Sequence, residues 1–355
     1  MSSTRPILTK PWYTARDMRR AVAALIALAA LLLGCGGDSA RPALPEEADQ
    51  PGTIIYFRQS PVPQTLVAVN ADGSGERQLF PIEPGNIPYP GVVSAACAPD
   101  GVTITYMLVG EDLNGEYQRT LISANLDGSD ARKLPSILET AWQPSWSPDG
   151  KSMAFVRLGI RAPLGEYGEI WVADSDGSNP RLLTSGPDAG LVWSPDGKRI
   201  AFSSVRDGNM EVYTITIDGK GLTNLTQSEA GEKGVGWSPD GQRILYYSSF
   251  ESGSLHSIDT DGSNKTTFSL AVPEEHVEFA GLNPLHPKWS LDGKLFAFTA
   301  PVPSGSGGDQ VTISGTRALN ASVGVFVSNA DGTDPHRVDS AESAILLTWC
   351  PDSPS

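Results

Sequence analysis

Five residues, Trp193-Ser194-Pro195-Asp196-Gly197, stand again as Trp146-Ser147-Pro148-Asp149-Gly150 and as Trp237-Ser238-Pro239-Asp240-Gly241. Blurred copies occupy Cys97-Ala98-Pro99-Asp100-Gly101, Trp289-Ser290-Leu291-Asp292-Gly293 and Trp349-Cys350-Pro351-Asp352. The aspartates, at 100, 149, 196, 240, 292 and 352, are 49, 47, 44, 52 and 60 residues apart. A period of that length restricts the chain to a repeat architecture, in which each unit covers its apolar faces with its neighbours.

The word is a turn between strands. Proline presets its own φ, the aspartate side chain binds nearby backbone amides, and glycine tolerates positive φ. A short apolar stretch, Gly190-Leu191-Val192-Trp193, leads into it, and the β-rich Arg199-Ile200-Ala201-Phe202-Ser203-Ser204 leaves it. An alternating run from Glu211 to Ile217 follows, then a brief fourth run, Leu222 to Leu225. A second word, Asp-Gly, recurs at 72, 127, 176, 218, 261 and 331, each time after the third run. Asp-Gly between apolar runs is among the strongest hairpin signals. Four short strands per period predict an all-β, six-bladed β-propeller.

The phase of the repeat predicts how the ring closes. Thr53-Ile54-Ile55-Tyr56-Phe57-Arg58 matches the strand that normally follows a turn word, yet no word precedes it. At the other end, Ile345-Leu346-Leu347-Thr348-Trp349 and its turn are followed only by a few residues. The C-terminal strand is therefore expected to be the innermost of a blade whose outer three strands begin the fold. That arrangement leaves no open sheet edge between first and last blades. Longer insertions, around 161–165 and 303–320, fall between second and third strands, where loops carry function most readily.

Residues 1–34 read as a targeting segment: basic residues up to Arg20 precede an apolar run too short to span a membrane comfortably. The run ends in Leu32-Leu33-Gly34-Cys35, which resembles the bacterial lipobox. That resemblance implies cleavage before Cys35 and a lipid on its sulfur. Residues 35–51 are then a flexible tether and 52–355 the propeller. Formal charge is −15, and becomes −19 without the first 34 residues. Such a surface repels nucleic acid and anionic membrane.

The stretches Trp193-Ser194-Pro195-Asp196-Gly197-Lys198-Arg199-Ile200-Ala201-Phe202 and Arg206-Asp207-Gly208-Asn209-Met210-Glu211-Val212-Tyr213 resemble repeats of the TolB-type six-bladed propellers, the WD40-like PD40 repeat family. The resemblance covers about 52–355. It is specific for fold and much less so for activity. It implies a periplasmic role among protein partners, a peptidoglycan-associated lipoprotein and inner-membrane Tol proteins. The chain departs from the family pattern by a short tether where an α/β domain is expected and by its lipobox. A lipoprotein form of the propeller is the expectation. Similar propellers precede the hydrolase domain of prolyl-oligopeptidase-like enzymes, and no such domain is expected here.

No catalytic constellation stands out. The turn aspartates and the tryptophan series are expected to be turn structure and packing. Asp174-Ser175-Asp176 and Asp259-Thr260-Asp261 faintly resemble calcium loops but lack the further ligands such a loop needs. His256, His276, His286 and His336 show no ligand spacing, and no Gly-x-Ser-x-Gly elbow occurs. Neither metal nor cofactor is expected. Cys97 and Cys350 replace repeat residues in neighbouring blades; a disulfide or two free buried thiols both fit.

The channel mouth is the candidate binding surface. Three positions before each word stand Ser94, Gln143, Gly190, Gly234, His286 and Leu346, with Trp142, Glu232, Lys233 and Lys288 nearby. The candidate partner contacts are Trp142, Gln143, Lys233, His286 and Lys288. The expected function is that of a non-catalytic, lipid-anchored module of the bacterial cell envelope that binds an envelope protein or peptide. The alternatives are a channel-mouth enzyme, lyase or lactonase-like, a glycan-binding propeller, and a structural sensor ectodomain.

Overall fold

A computed structural model describes residues 52–60, 65–79, 91–111, 117–135, 140–158, 167–248, 255–268, 287–302, 322–340 and 343–351. The leader, Cys35, the tether, the insertions at 161–165 and 303–320, His276 and His286 lie outside them. The chain begins with β1 (Thr53–Ser60), β2 (Thr65–Asn70) and β3 (Arg77–Gln78), then β4 (Gly91–Cys97), β5 (Thr103–Glu111), β6 (Tyr117–Asn125) and β7 (Arg132–Lys133). Next come β8 (Ala141–Trp146), β9 (Ser152–Arg157), β10 (Gly168–Asp174), β11 (Arg181–Trp193), β12 (Arg199–Ser204), β13 (Glu211–Thr216) and β14 (Thr223–Asn224). The last are β15 (Glu232–Trp237), β16 (Arg243–Ser248), β17 (Leu255–Asp259), β18 (Thr266–Phe268), β19 (Lys288–Trp289), β20 (Leu295–Val302), β21 (Ser322–Asn329), β22 (His336–Arg337) and β23 (Ser343–Cys350).

These strands form an all-β propeller of antiparallel sheets. Four sheets have four strands each, β4 to β7, β15 to β18, β19 to β22, and β23-β1-β2-β3. One runs through seven strands, β8 to β14. The first strands of the repeats touch one another in sequence: β23 meets β4, β4 meets β8, β8 meets β11, β11 meets β15, β15 meets β19, and β19 meets β23.

Alternation within each strand explains how the sheets stack, because successive side chains leave opposite faces. In β12, Ile200 and Phe202 pack with Val156, Ile170 and Trp142 on one side. Ala201, between them, packs with Val235, Trp237 and Tyr246 on the other. Central strands are thus buried on both faces, which is why Ile-Ala-Phe-type runs carry so little polarity.

The turn word works through its hydroxyl and its carboxylate together. Ser194 Oγ donates to Asp196 Oδ1 at 2.6 Å and accepts from Arg199 N at 2.9 Å, while Lys198 N donates to Asp196 at 3.0 Å. Ser238–Asp240 and Ser290–Asp292 repeat the arrangement at 2.7 Å. Where Ala98 lacks the hydroxyl, Thr103 Oγ1 supplies it to Asp100 at 2.7 Å. The donors hold Asp196 below the usual carboxylate range, its Ser194 hydrogen bond first among them.

The ends pair as the phase predicts. In β1, Thr53, Ile54 and Ile55 face Cys350, Trp349 and Thr348 of β23. Of the two states open to the cysteines, the bridge is formed: Cys97 at the end of β4 is bonded to Cys350, with Cα atoms 5.3 Å apart.

Candidate functional site

The described mouth residues divide into buried packing groups and two half-buried lysines. A β-bulge interrupts the pairing of four of the first strands three or four positions before the turn word. The shift falls between Val92 and Ser94 in β4, Trp142 and Ser145 in β8, Ala189 and Leu191 in β11, and Lys233 and Gly236 in β15. Gln143, Gly190 and Gly234 take positive φ there, 52°, 53° and 68°. An extra residue turns the side-chain pattern over, so simple alternation misplaces these side chains.

Two candidates are corrected by this geometry. Gln143 is buried, and its Oε1 accepts a hydrogen bond of 2.5 Å from Gly190 N on the neighbouring strand. Trp142 is only 6% exposed, packed with Leu191, Trp193 and Phe202. Both pack β8 against β11 and β12, and both are buried. The glycines at the same position in later repeats were the sequence signal for a bulge. Leu346 and Ser94 are also buried. His286 lies outside the described residues.

Lys233 and Lys288 remain. They stand half-buried on the first strands of consecutive sheets. Loss of hydration lowers the pKa of Lys233, and brings Lys288 down to about 8. No salt bridge to either is found among the described residues.

The loop motif Arg206-Asp207-Gly208-Asn209-Met210-Glu211 organises a buried polar network. Arg206 reaches back to Asp188, whose side chain is wholly buried, at 2.6 Å. Its guanidinium also lies over Phe202 and Tyr213, 5.2 and 5.0 Å from the ring centres. Tyr213 donates to Asp207 at 2.5 Å. Asn209 Nδ2 donates to the Ser228 and Ala230 carbonyls at 2.8 and 2.7 Å. Burial raises the pKa of Asp188 despite its partners. That of Glu232, at the start of β15, rises to about 7, first from burial and then from the nearby Glu211.

Among the described residues no three His, Cys, Asp or Glu side chains converge as metal ligands. His256 is buried, stacked on Tyr246 and bonded to Thr267 at 3.0 Å, and His336 contacts the Ala71 carbonyl at 3.1 Å. A cavity of about 550 Å³ between Pro99, Arg132, Trp146 and Asp149 opens at the turn-word end. The aspartates that line it, Asp100 and Asp149, are already engaged by their own turns. The Asp176 and Asp261 carboxylates likewise bind the amides of Ser178 and Ser263 at 2.8 and 2.9 Å, as turn residues do.

Comparison with known proteins matches residues 101–335 to the TolB beta propeller domain. An uncharacterized protein of Agrobacterium fabrum is 31% identical over 189 residues, covering 50% of this chain and 60% of that protein. The Tol-Pal system protein TolB of Anaeromyxobacter dehalogenans is 31% identical over 112 residues, covering 31% of this chain and 24% of that one. The chain thus covers less than two thirds of the length of these relatives. The crystal structure of TolB from Acinetobacter baumannii superposes with a TM-score of 0.62 at 19% identity, over 95% of this chain and 73% of that chain. A putative TolB from Agrobacterium tumefaciens gives 0.57 at 21% identity, over 83% and 94%. A puromycin-hydrolyzing peptidase of Mycobacterium tuberculosis gives 0.54 at 16% identity, over 82% and 46%. At such identities the likeness is one of fold and does not choose between binding and catalysis.

Proposed function

Since the chain belongs to the TolB beta propeller domain family, we propose that it is a six-bladed propeller, anchored in a bacterial envelope by a lipid on Cys35, that binds another envelope protein or peptide without catalysis. The blade count rests on β11. Its first part pairs with β10 through Arg181, Leu182 and Thr184, and its second with β12 through Leu191 to Trp193. One long strand thus serves as the outer strand of one blade and the inner strand of the next.

The observation that carries the binding role is the pair Lys233 and Lys288. Two partly desolvated ammonium groups on consecutive inner strands, without ion pairs among the described residues, gain from a partner that brings carboxylates. An acidic peptide segment supplies them. The naming of relatives as Tol-Pal system proteins supports a protein partner. The lipobox supports the anchor, with 1–34 removed, 35–51 as tether and 52–355 as the domain.

The test is crosslinking in cells with amine-to-carboxylate reagents, followed by mapping of the joined peptides. Links through Lys233 or Lys288 that vanish in the Lys233→Gln, Lys288→Gln double variant are expected. Links confined to other faces, or turnover of a lactone or polyuronate by the purified chain, overturn the reading.

A further inference from the structure

The cavity of about 550 Å³ at the turn-word end lies where the sheet β4 to β7 meets β8 to β10. The next junction, between β8 to β10 and β12 to β13, carries aliphatic side chains at the same positions of the repeat. There Val172, four residues before Asp176, and Ile217, just before Asp218, pack into one cluster. Arg181, five residues after Asp176, crosses that seam and donates to the Ile217 carbonyl at 3.0 Å. The counterparts at the cavity are Ser123, four before Asp127, Ser175, just before Asp176, and Arg132, five after Asp127. The register is the same, since Ser175 N donates to the Lys151 carbonyl as Ile217 N does to that of Lys198, both at 2.9 Å. Two serines thus stand in place of two aliphatic side chains, which leaves room and lines it with hydroxyls.

The walls carry polar groups that have bonding capacity to spare. Ser123 is only 4% exposed, and no hydrogen bond to its hydroxyl is found among the described residues. That oxygen is not sealed off as those of Ser94 and Ser203 are, so it opens on the cavity. Arg132, exposed on the rim, lacks the carbonyl that Arg181 and His336 reach from the same repeat position, at Ile217 and Ala71. It only eases the charge of Asp176 from a distance. Asp149 uses Oδ1 for its own turn, accepting from Ser147 Oγ at 2.7 Å and Lys151 N at 3.1 Å. Its Oδ2 faces only the exposed Lys151 ammonium, 3.8 Å away. Half-buried Trp146, with Pro99 and Pro148, supplies the apolar surface.

We propose that this cavity is a sugar site that takes a neutral pyranose unit of a glycan. A sugar ring offers hydroxyls that donate and accept alike, as the mixed lining of Ser123, Ser175, Arg132 and Asp149 requires. Its C–H face suits an indole or a proline ring. A carboxylate ligand would meet Asp100 and Asp149 as like charges, and a cation would meet Arg132. An apolar ligand would strip water from the Ser123 hydroxyl and give nothing back. The volume lies within the range of small-molecule sites, about 300–1,000 Å³. The strands around it carry neither Lys233 nor Lys288, so the site stands or falls independently of the peptide contact proposed above.

The experiment is saturation-transfer NMR and calorimetry on the full chain with maltose, cellobiose and N,N′-diacetylchitobiose. Digalacturonate and an acidic hexapeptide are the contrasting probes. At least one neutral disaccharide should bind, with a Kd on the order of 10⁻³ M. The Ser123→Val, Ser175→Ile double variant installs the side chains of the next junction and should abolish that binding. It should melt no lower than the parent, because it fills a cavity with groups the fold already packs at those positions. Arg132→Gln, at an exposed position, should weaken binding about threefold to tenfold, and it decides the matter alone if the double variant does not fold. No binding of any neutral disaccharide at about 10 mM overturns the proposal, as does binding at parent affinity by these variants. Binding of digalacturonate or the peptide without the neutral sugars also overturns it, because the cavity then serves an anion or a protein partner.

Discussion

Reducing the Cys97–Cys350 bond tests whether closure relies on a covalent clasp or on strand pairing. The bond spans 253 residues, so in the chain-entropy picture it removes about 5 kcal/mol of freedom from the unfolded chain. Measured bonds deliver less, about 2–4 kcal/mol, because unfolded chains are already restricted. The native ring does not depend on the bond for its shape. Strand β23 is hydrogen-bonded to β1 from Thr53–Cys350 to Ser60–Ser343, and Leu346, Trp349 and Cys350 are buried among their neighbours. Reduction should therefore leave the native circular dichroism unchanged and act on stability through the unfolded state. Equilibrium urea unfolding of the oxidised chain, the reduced chain and the Cys97→Ala, Cys350→Ala variant is the assay. With a slope near 3 kcal/mol/M, a loss of about 3 kcal/mol moves the midpoint down by roughly 1 M. The slope itself should rise on reduction, because the freed unfolded chain exposes more surface. Coincident midpoints for oxidised and reduced chains would refute the entropic argument. Collapse of the native spectrum on reduction would refute the view that pairing alone closes the ring.

Arg206→Met leaves Asp188 buried without its guanidinium and should cost about 3–5 kcal/mol, read from the same urea curves. The double variant with Asp188→Asn should recover much of that loss. Gln143→Ala removes the acceptor of Gly190 N and should cost about 1–3 kcal/mol, with no change in partner crosslinking; a drop in crosslinking at unchanged stability would return Gln143 to the binding surface. Cys35→Ser should abolish labelling by a fatty-acid probe and stop maturation, and normal processing of that variant would refute lipidation.

Much of the fold was legible because its determinants are local and repeated. Five of the turn words join their own strands through side chains two to five residues apart, as Ser194 does with Asp196 and Arg199. The strand order follows from those turns. Closure was legible too, since it needs only the phase of the repeat, and β1 pairs with β23 accordingly. The sites escaped because their determinants are neither local nor periodic. At Gln143 a bulge reverses the side-chain parity on which any count along a strand depends. Arg206 and Asp188 are 18 residues apart and Glu211 and Glu232 are 21, with strands and turns between them. Arg206 meets Asp188 through the pairing of β11 with β12, whereas Glu211 and Glu232 stand on strands of different sheets. Whether Cys97 and Cys350 bond depended likewise on the 5.3 Å between their Cα atoms. Local chemistry determined the strands and their order, and sheet-to-sheet packing decided which buried charges and thiols share a space, because only packing brings groups from separate repeats within bonding distance.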